Sequence, residues 1–310
     1  MKPVGASAPG KALLCGEYAV LEGAPAVVAA VDRRVSVSWS HQVLPIPPEV
    51  AATLELARRE CGNVPGFLRL DVSALHYKRV KLGLGSSAAA AAATAAAVFA
   101  SHGHDLDDPA SKRRIFDCAY RGHGSIAPQG SGVDVAASSF GGFLRFTRLD
   151  GQLEVRSLAC PLELRIRLVW TGRASRTSEL LAKLGRFRDR DPGGYEGYLA
   201  RLGELCSAFA AAFEAGRAQD VVSQAACYGE AMRDLGHVAG APIVDARLQR
   251  IADLAASFSG GAKPSGAGGG DVAVAFFTDA DTASGFERAC QDEGLHPIDV
   301  SWGAAGVRAG

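Results

Sequence analysis

The chain has 310 residues, enough for two domains of ordinary size, each able to bury its own hydrophobic core. Hydrophobic residues make up 48% and charged residues 21%, a globular balance that leaves little room for long disorder. The 33 basic residues cancel the 33 acidic ones, which excludes the broad positive field a nucleic-acid binder uses to neutralise phosphates.

Seven cysteines (Cys15, Cys61, Cys118, Cys160, Cys206, Cys227 and Cys290) are odd in number, scattered and without a CxxC pair. That argues against a disulfide framework or a zinc site and fits a reducing cytoplasm. Residues 1–11 lack a charged head followed by an apolar run, and nowhere do about 18 uncharged apolar residues run together, so neither secretion nor a membrane span is expected.

Taken in chain order, β-branched runs predict strands over 26–31, 35–39 and 67–72. A helix is predicted over 48–61, where Pro47-Pro48-Glu49 makes a good first turn and Val50, Leu54 and Ala57 recur at helical spacing. The alanine block 88–100 predicts a buried helix starting at Ser86-Ser87, both good N-caps. Residues 134–139 then lead through Gly141-Gly142 into a strand at 143–146, and 165–170 alternates as another. A boundary near 150–164 divides the chain into domains 1–158 and 159–310. The second half continues with helices at 195–215, 219–235 and 245–258, a glycine-rich loop, a strand at 272–277, a helix at 280–293 and a short strand around 298–302. The order predicts an α+β sandwich with helices on an antiparallel sheet.

Three glycine-rich segments carry the chemical content. Lys81-Leu82-Gly83-Leu84-Gly85-Ser86-Ser87-Ala88 puts two glycines directly before a helix N-terminus, where unpaired N–H groups and the helix dipole favour a phosphate. Ser86 and Ser87 add hydroxyls for phosphate or magnesium. The same residues also fit a tight turn with an N-cap. Gly83, Gly85 and Ala88 satisfy a dinucleotide fingerprint, with Asp105 as a ribose-binding acid, but residues 76–81 are too charged for the doubly buried parallel strand that fold requires. Gly5, Gly10 and Lys11 have P-loop spacing, yet Ala12 stands where Ser or Thr should hold magnesium and Pro9 breaks the loop. Lys11 then reads as an isolated phosphate-facing cation. The third segment, residues 263–271, leads into a strand and not a helix. It is either a loop that wraps close to a ligand or a mobile surface connection.

Together the segments resemble the three ordered motifs of the GHMP kinases (galactokinase, homoserine, mevalonate and phosphomevalonate kinases). Ala8-Pro9-Gly10-Lys11 with Gly16-Glu17-Tyr18-Ala19-Val20 is similar to the first, Gly83 to Ala88 to the second and Gly266 to Gly270 to the third. Tyr18, Lys81, the run Gln129 to Ala137, Trp170-Thr171-Gly172 with Ala174-Ser175, and the string Lys263 to Asp271 resemble phosphomevalonate kinases more than mevalonate kinases.

The resemblance implies an N-terminal domain like domain 2 of ribosomal protein S5 and a ferredoxin-like C-terminal domain, with ATP and substrate between them. It implies ATP-dependent phosphorylation of 5-phosphomevalonate to 5-diphosphomevalonate. Lys81, Gly83, Leu84, Gly85, Ser86 and Ser87 would cradle the ATP phosphates, and Lys11 and Asp134 would sit at the reacting oxygen. Asp134 acts there either as a base or as an orienter of Lys11; from the residues alone it also fits a turn or cap aspartate. A substrate with a phosphate and a carboxylate needs further cations, for which Lys81, Arg173 and Arg176 stand in or near the motifs, with Ser131, Ser265, Gly266 and Ala267 as further substrate contacts. Where mevalonate kinases carry a magnesium-binding Glu after Gly, this chain has Gly122-His123, and histidine suits a hard cation poorly. Magnesium would rest on ATP phosphates, water and Ser87, and His123 reads as a loop histidine. The alternatives are a mevalonate kinase or another GHMP small-molecule kinase and, in a different class, a non-catalytic nucleotide- or metabolite-binding sensor that keeps the loops. The expected partner is a small molecule, with no nucleic acid and no membrane.

Overall fold

A computed structural model of the chain describes every residue except Met1, Lys2, Lys78, Arg79, Asp150 and Arg176. The substrate role expected of Arg176 therefore falls outside the described residues. The first strand, β1 (Ala6–Cys15), runs straight through the P-loop look-alike, so Lys11 sits in extended backbone. β2 (Ala26–Ser40) joins the two strands expected at 26–31 and 35–39 into one. The polar break at Asp32-Arg33-Arg34 does not end the strand, because Arg34 is fully used within it. Its guanidinium donates to Ser7 Oγ and O at 3.0 Å, to Ala305 O at 2.8 Å and to Gly306 O at 2.6 Å. Burial and the neighbouring Arg308 lower its pKa to about 10.

Helix α1 (Pro48–Cys61) has the bounds its proline turn predicts, and β3 (Phe67–Asp71) pairs antiparallel with β2. β4 (His76–Tyr77) and β5 (Val80–Lys81) pair antiparallel with each other. A dinucleotide fingerprint needs a parallel strand here, and Asp105 Oδ1 accepts instead from the Asp107 N–H in a turn. α2 (Ser86–Ser101) is buried all round from Ala88 to Phe99. Small side chains let α1, α3 (Pro109–Ile126) and α4 (Val133–Phe140) pack against it. A Cβ on Gly122 of α3 would lie 2.2 Å from Thr53 Oγ1 of α1, so the two helices touch backbone to backbone there.

The chain continues through β6 (Phe143–Leu149), β7 (Gln152–Leu158), β8 (Arg165–Trp170), α5 (Thr177–Arg190), α6 (Pro192–Glu214), α7 (Ala218–Val238), α8 (Ala246–Ser257), β9 (Gly261–Ser265), β10 (Val272–Phe277), α9 (Ala280–Asp292), β11 (His296–Ile298) and β12 (Arg308–Ala309). The last strand expected at 298–302 lies earlier, over 296–298, and Trp302 instead makes an isolated bridge to Val31.

Contacts gather the chain into two units that are not contiguous in sequence: residues 1–12, 28–144 and 301–310, and residues 13–27 and 145–300. The expected single break near 150–164 differs from this division because the chain returns at its end, β12 pairing antiparallel with β1 through Ala6↔Ala309 and Ser7↔Arg308. In the first unit the sheet runs β12-β1-β2-β6 with β3 on β2, alongside helices α1 to α4.

The second unit holds an antiparallel sheet in the order β11-β8-β10-β9. Counted in chain order within that sheet, this is the 4-1-3-2 order of a ferredoxin-like sheet. β10 is buried on both faces. Ala273, Ala275 and Phe277 join the core formed with Leu248, Ile251 and Leu254 of α8 and Phe286 of α9. Phe276, pointing the other way by the two-residue period of a strand, meets Phe209 of α6 edge-on. The architecture is α+β, in two domains.

Candidate active site

In the first unit, β1 delivers Lys11 from a strand whose neighbours are small and apolar, and among the described residues its ammonium has one anionic partner. Nζ lies 3.4 Å from Asp134 Oδ1, with side chains 6% and 37% exposed respectively. The lysine is walled in and the carboxylate faces out. Lys11 N–H donates to Leu84 O at 3.0 Å, tying the strand to the glycine segment. Asp134 occupies the first turn of α4, not an isolated loop turn, with Gly132 as N-cap. Ser131 Oγ accepts from the Val133 N–H at 3.3 Å and so closes the same helix end.

Gly85, with φ of 74°, is the N-cap of α2, which displaces the serines from the capping role the sequence gives them. Ser86 and Ser87 are the first helical residues, where N–H groups lack partners within the helix. The Ser87 hydroxyl pairs at 3.1 Å with His123 Nε2. His123 therefore belongs to helix α3 and to this cluster, and is not a loop histidine. Gly83, Leu84, Gly85, Ser86, Ser87, Ser131, Lys11 and Asp134 all lie in the first unit, as does Lys81, exposed in β5.

In the second unit, the segment expected either to wrap a ligand or to be a mobile connection is tied at nearly every residue. Lys263 to Ser265 are buried in β9, and Ser265 Oγ accepts from the Leu13 N–H at 2.9 Å. The Tyr18 hydroxyl donates to Ala267 O. Ser175 Oγ donates to Gly268 O, the Gly269 N–H to Ile243 O at 2.8 Å and the Asp271 N–H to Arg173 O at 2.8 Å. Arg173 itself is exposed. Beneath the loop lies an ion pair that sequence reasoning missed: Lys263 Nζ is 2.6 Å from Glu17 Oε1, with side chains 0% and 2% exposed. Nζ also donates to Pro264 O at 2.6 Å and Leu13 O at 3.3 Å, and stands 5.8 Å from the centroid of the Tyr228 ring. The Tyr228 hydroxyl donates to Glu17 O at 2.6 Å, and burial pushes its phenol pKa well up.

Residues 50–142 match the GHMP kinases N terminal domain and residues 219–295 the GHMP kinases C terminal domain, together more than half of the chain. The chain belongs to the GHMP kinases. This GHMP kinase, a phosphotransferase, is 27% identical to a phosphomevalonate kinase of Streptomyces sp. (strain CL190) over 86% of its own length and 88% of that protein. It is 30% identical to a mevalonate kinase of Archaeoglobus fulgidus over 60% of its length and 65% of that protein. Its fold is shared with the Streptococcus pneumoniae phosphomevalonate kinase solved with phosphomevalonate and AMPPNP, with a TM-score of 0.82, 18% identity and coverage of 96% and 99%. No described helix of the kinase is long and apolar enough to cross a membrane.

The missed pair had one sequence signal. Glu17 and Lys263 are single charges set among small and apolar residues, and a buried charge requires a partner. Nothing in the spacing says that the partner lies 246 residues away. Gly85 supplies a direct test of the Lys11 geometry. A Cβ there would lie 3.0 Å from both Lys11 Cε and Cγ, on backbone that L-residues adopt at a cost of about 1–2 kcal/mol. If Lys11 acts on the transferred phosphoryl group, Gly85→Ala is expected to lower kcat by about tenfold, since small misplacements at a reacting centre are costly. Steady-state kinetics beside a thermal melt check this, with Tm falling by only a few degrees.

Proposed function

We propose that this kinase transfers the γ-phosphoryl group of ATP to 5-phosphomevalonate, giving 5-diphosphomevalonate and ADP, in the cytoplasmic mevalonate route to isoprenoids. The observation that carries the substrate is the likeness to the Streptomyces phosphomevalonate kinase, which runs over 86% of the chain. The match to an Archaeoglobus mevalonate kinase, at 30% identity over 60% of the chain, supports mevalonate as the second reading.

In this reading Gly83 to Ser87 hold the ATP phosphates on the N-terminal N–H groups of α2. Phosphoryl transfer spreads charge over the oxygens of a loose transition state, so positioning and charge stabilisation dominate. An oxygen of the acceptor phosphate attacks the γ-phosphorus, the bond to the bridging oxygen breaks, and ADP leaves with that electron pair. Lys11, walled in and aimed by Asp134, supplies positive charge to the moving phosphoryl oxygens. A phosphomonoester loses its second proton with a pKa of about 6, so the acceptor arrives as a nucleophile and Asp134 has no proton to remove. With mevalonate the attacking group is an alcohol, and Asp134 would take its proton. Lys81 and Ser131 are assigned to the acceptor phosphate, and Arg173, Gly266 and Ala267 to the rest of it. Ser265, buried and accepting from Leu13, contributes at most its hydroxyl proton.

No group of three or more His, Cys, Asp or Glu suited to a metal occurs among the described residues, and the Ser87 oxygen already pairs with His123. That donor set fits a magnesium ion carried in by ATP, with Ser87 as its protein ligand, since magnesium keeps most of its ligands as phosphate and water oxygens. The ion would neutralise charge on the β- and γ-phosphates.

The test is ADP release coupled to a reporter, with magnesium, ATP and either 5-phosphomevalonate or mevalonate, and Asp134→Asn in parallel. Turnover with 5-phosphomevalonate alone is expected, and turnover with mevalonate alone moves the kinase to the second reading. Silence with both overturns each of them.

A further inference from the structure

Glu17 and Tyr18 are consecutive, and so are the residues they hold. Glu17 Oε1 accepts from the Gly266 N–H at 3.1 Å, and the Tyr18 hydroxyl donates to Ala267 O. The same Oε1 is paired to Lys263, whose ammonium also bonds two backbone carbonyls, so the carboxylate is fixed before it meets the loop. Burial pushes the Tyr18 phenol well up, keeping it a donor.

Stability alone accounts poorly for this arrangement. A buried ion pair is often matched or bettered by well-packed apolar residues of the same volume. Glu17 Oε2 is buried without a hydrogen-bond partner among the described residues. Tyr18 has φ of 64°, a conformation non-glycine residues hold only where the surroundings over-determine it. The object so held is a run of small residues, Gly266-Ala267-Gly268-Gly269-Gly270, which untied would sample many backbone states.

We propose that Glu17 and Tyr18, with Lys263 behind them, are positioning residues that fix the Gly266–Ala267 backbone and thereby set acceptor affinity. This rests on the reading that residues 266–267 bind the acceptor. Neither side chain touches the reacting atoms; each acts through the loop.

The experiment uses the full chain with Tyr18→Phe and the double variant Glu17→Leu with Lys263→Met, which replaces both charges by apolar groups. Thermal melts, kcat, the KM for 5-phosphomevalonate and the dissociation constant of a fluorescent ATP analogue are measured for each. The double variant is expected to melt close to the wild type, yet to show a KM raised about tenfold with kcat and nucleotide affinity little changed, the signature of lost binding that is equal in ground and transition states. Tyr18→Phe is expected to raise KM in the same direction with an unchanged melt. A double variant with wild-type KM, or an unchanged KM in Tyr18→Phe, overturns the positioning role. If the wild type is silent with 5-phosphomevalonate, the acceptor assignment fails and the loop contact is read by amide hydrogen exchange of residues 260–272. Faster exchange in both variants supports the contact, and unchanged exchange overturns it.

Discussion

Lys11→Met is expected to lower kcat about 10²–10³-fold, the loss typical of removing one preorganised group from developing transition-state charge. The methionine keeps an unbranched apolar stem in the space beside Gly85, so the wall around the residue survives while the charge does not. Tm should change little, because the partner Asp134 is 37% exposed and water can take over its solvation. Lys11→Arg is not expected to rescue, since a planar fork cannot replace a compact ammonium in a buried site. Asp134→Asn serves as the internal comparison. With a phosphate acceptor it should cost less than Lys11→Met, because in the proposed mechanism the aspartate only aims the lysine. Equal losses would mark Asp134 as the base of an alcohol kinase. Single-turnover rates with saturating ATP separate these outcomes from changes in product release.

Lys263→Met alone is expected to destabilise the fold by about 3–5 kcal/mol, because it strands the Glu17 carboxylate in an apolar interior. In a body of roughly 150–250 residues that corresponds to a fall in Tm of roughly 6–20 °C. Added salt should not reproduce the effect, since ions screen buried pairs poorly. Urea denaturation of the single variant beside Glu17→Leu with Lys263→Met reads the pair directly. Recovery in the double variant shows that the damage came from the unmatched charge and not from a lost cavity wall.

Much of the fold was legible from local pattern. The bounds of α1 follow from Pro48 and the Val50, Leu54, Ala57 spacing, β8 from its alternation, and β10 from the apolar run 272–277. What escaped was structure whose reason is distant. β1 carries the P-loop-spaced Gly10 and the Pro9 that breaks such a loop, and is a strand flanked by β12 and β2. α3 was not expected, although Asp108 and Pro109 form a good helix start, with Asp108 Oδ2 accepting from the Ser111 N–H. The glycines at 122 and 124 argued for a loop, yet Gly122 is there for the close approach of Thr53. At the candidate site, the family resemblance pointed to Lys11, Asp134 and Gly83–Ser87, and Lys11 and Asp134 lie 3.4 Å apart. The Ser87–His123 pair and the Glu17–Lys263 pair depend on which surfaces meet, and no local periodicity encodes that.

The pairing of β12 with β1 also bears on how the protein is made. Domains generally fold as units as the chain is synthesised, N-terminal first. Here Ala6 finds its cross-strand neighbour Ala309, and Gly5 O receives the Gly310 N–H, only after some three hundred further residues have emerged. The Ala6–Ser7 edge of β1 thus stays open until residues 308–309 have been made, and in that interval a nascent first unit presents an unpaired strand edge to whatever lies near the ribosome.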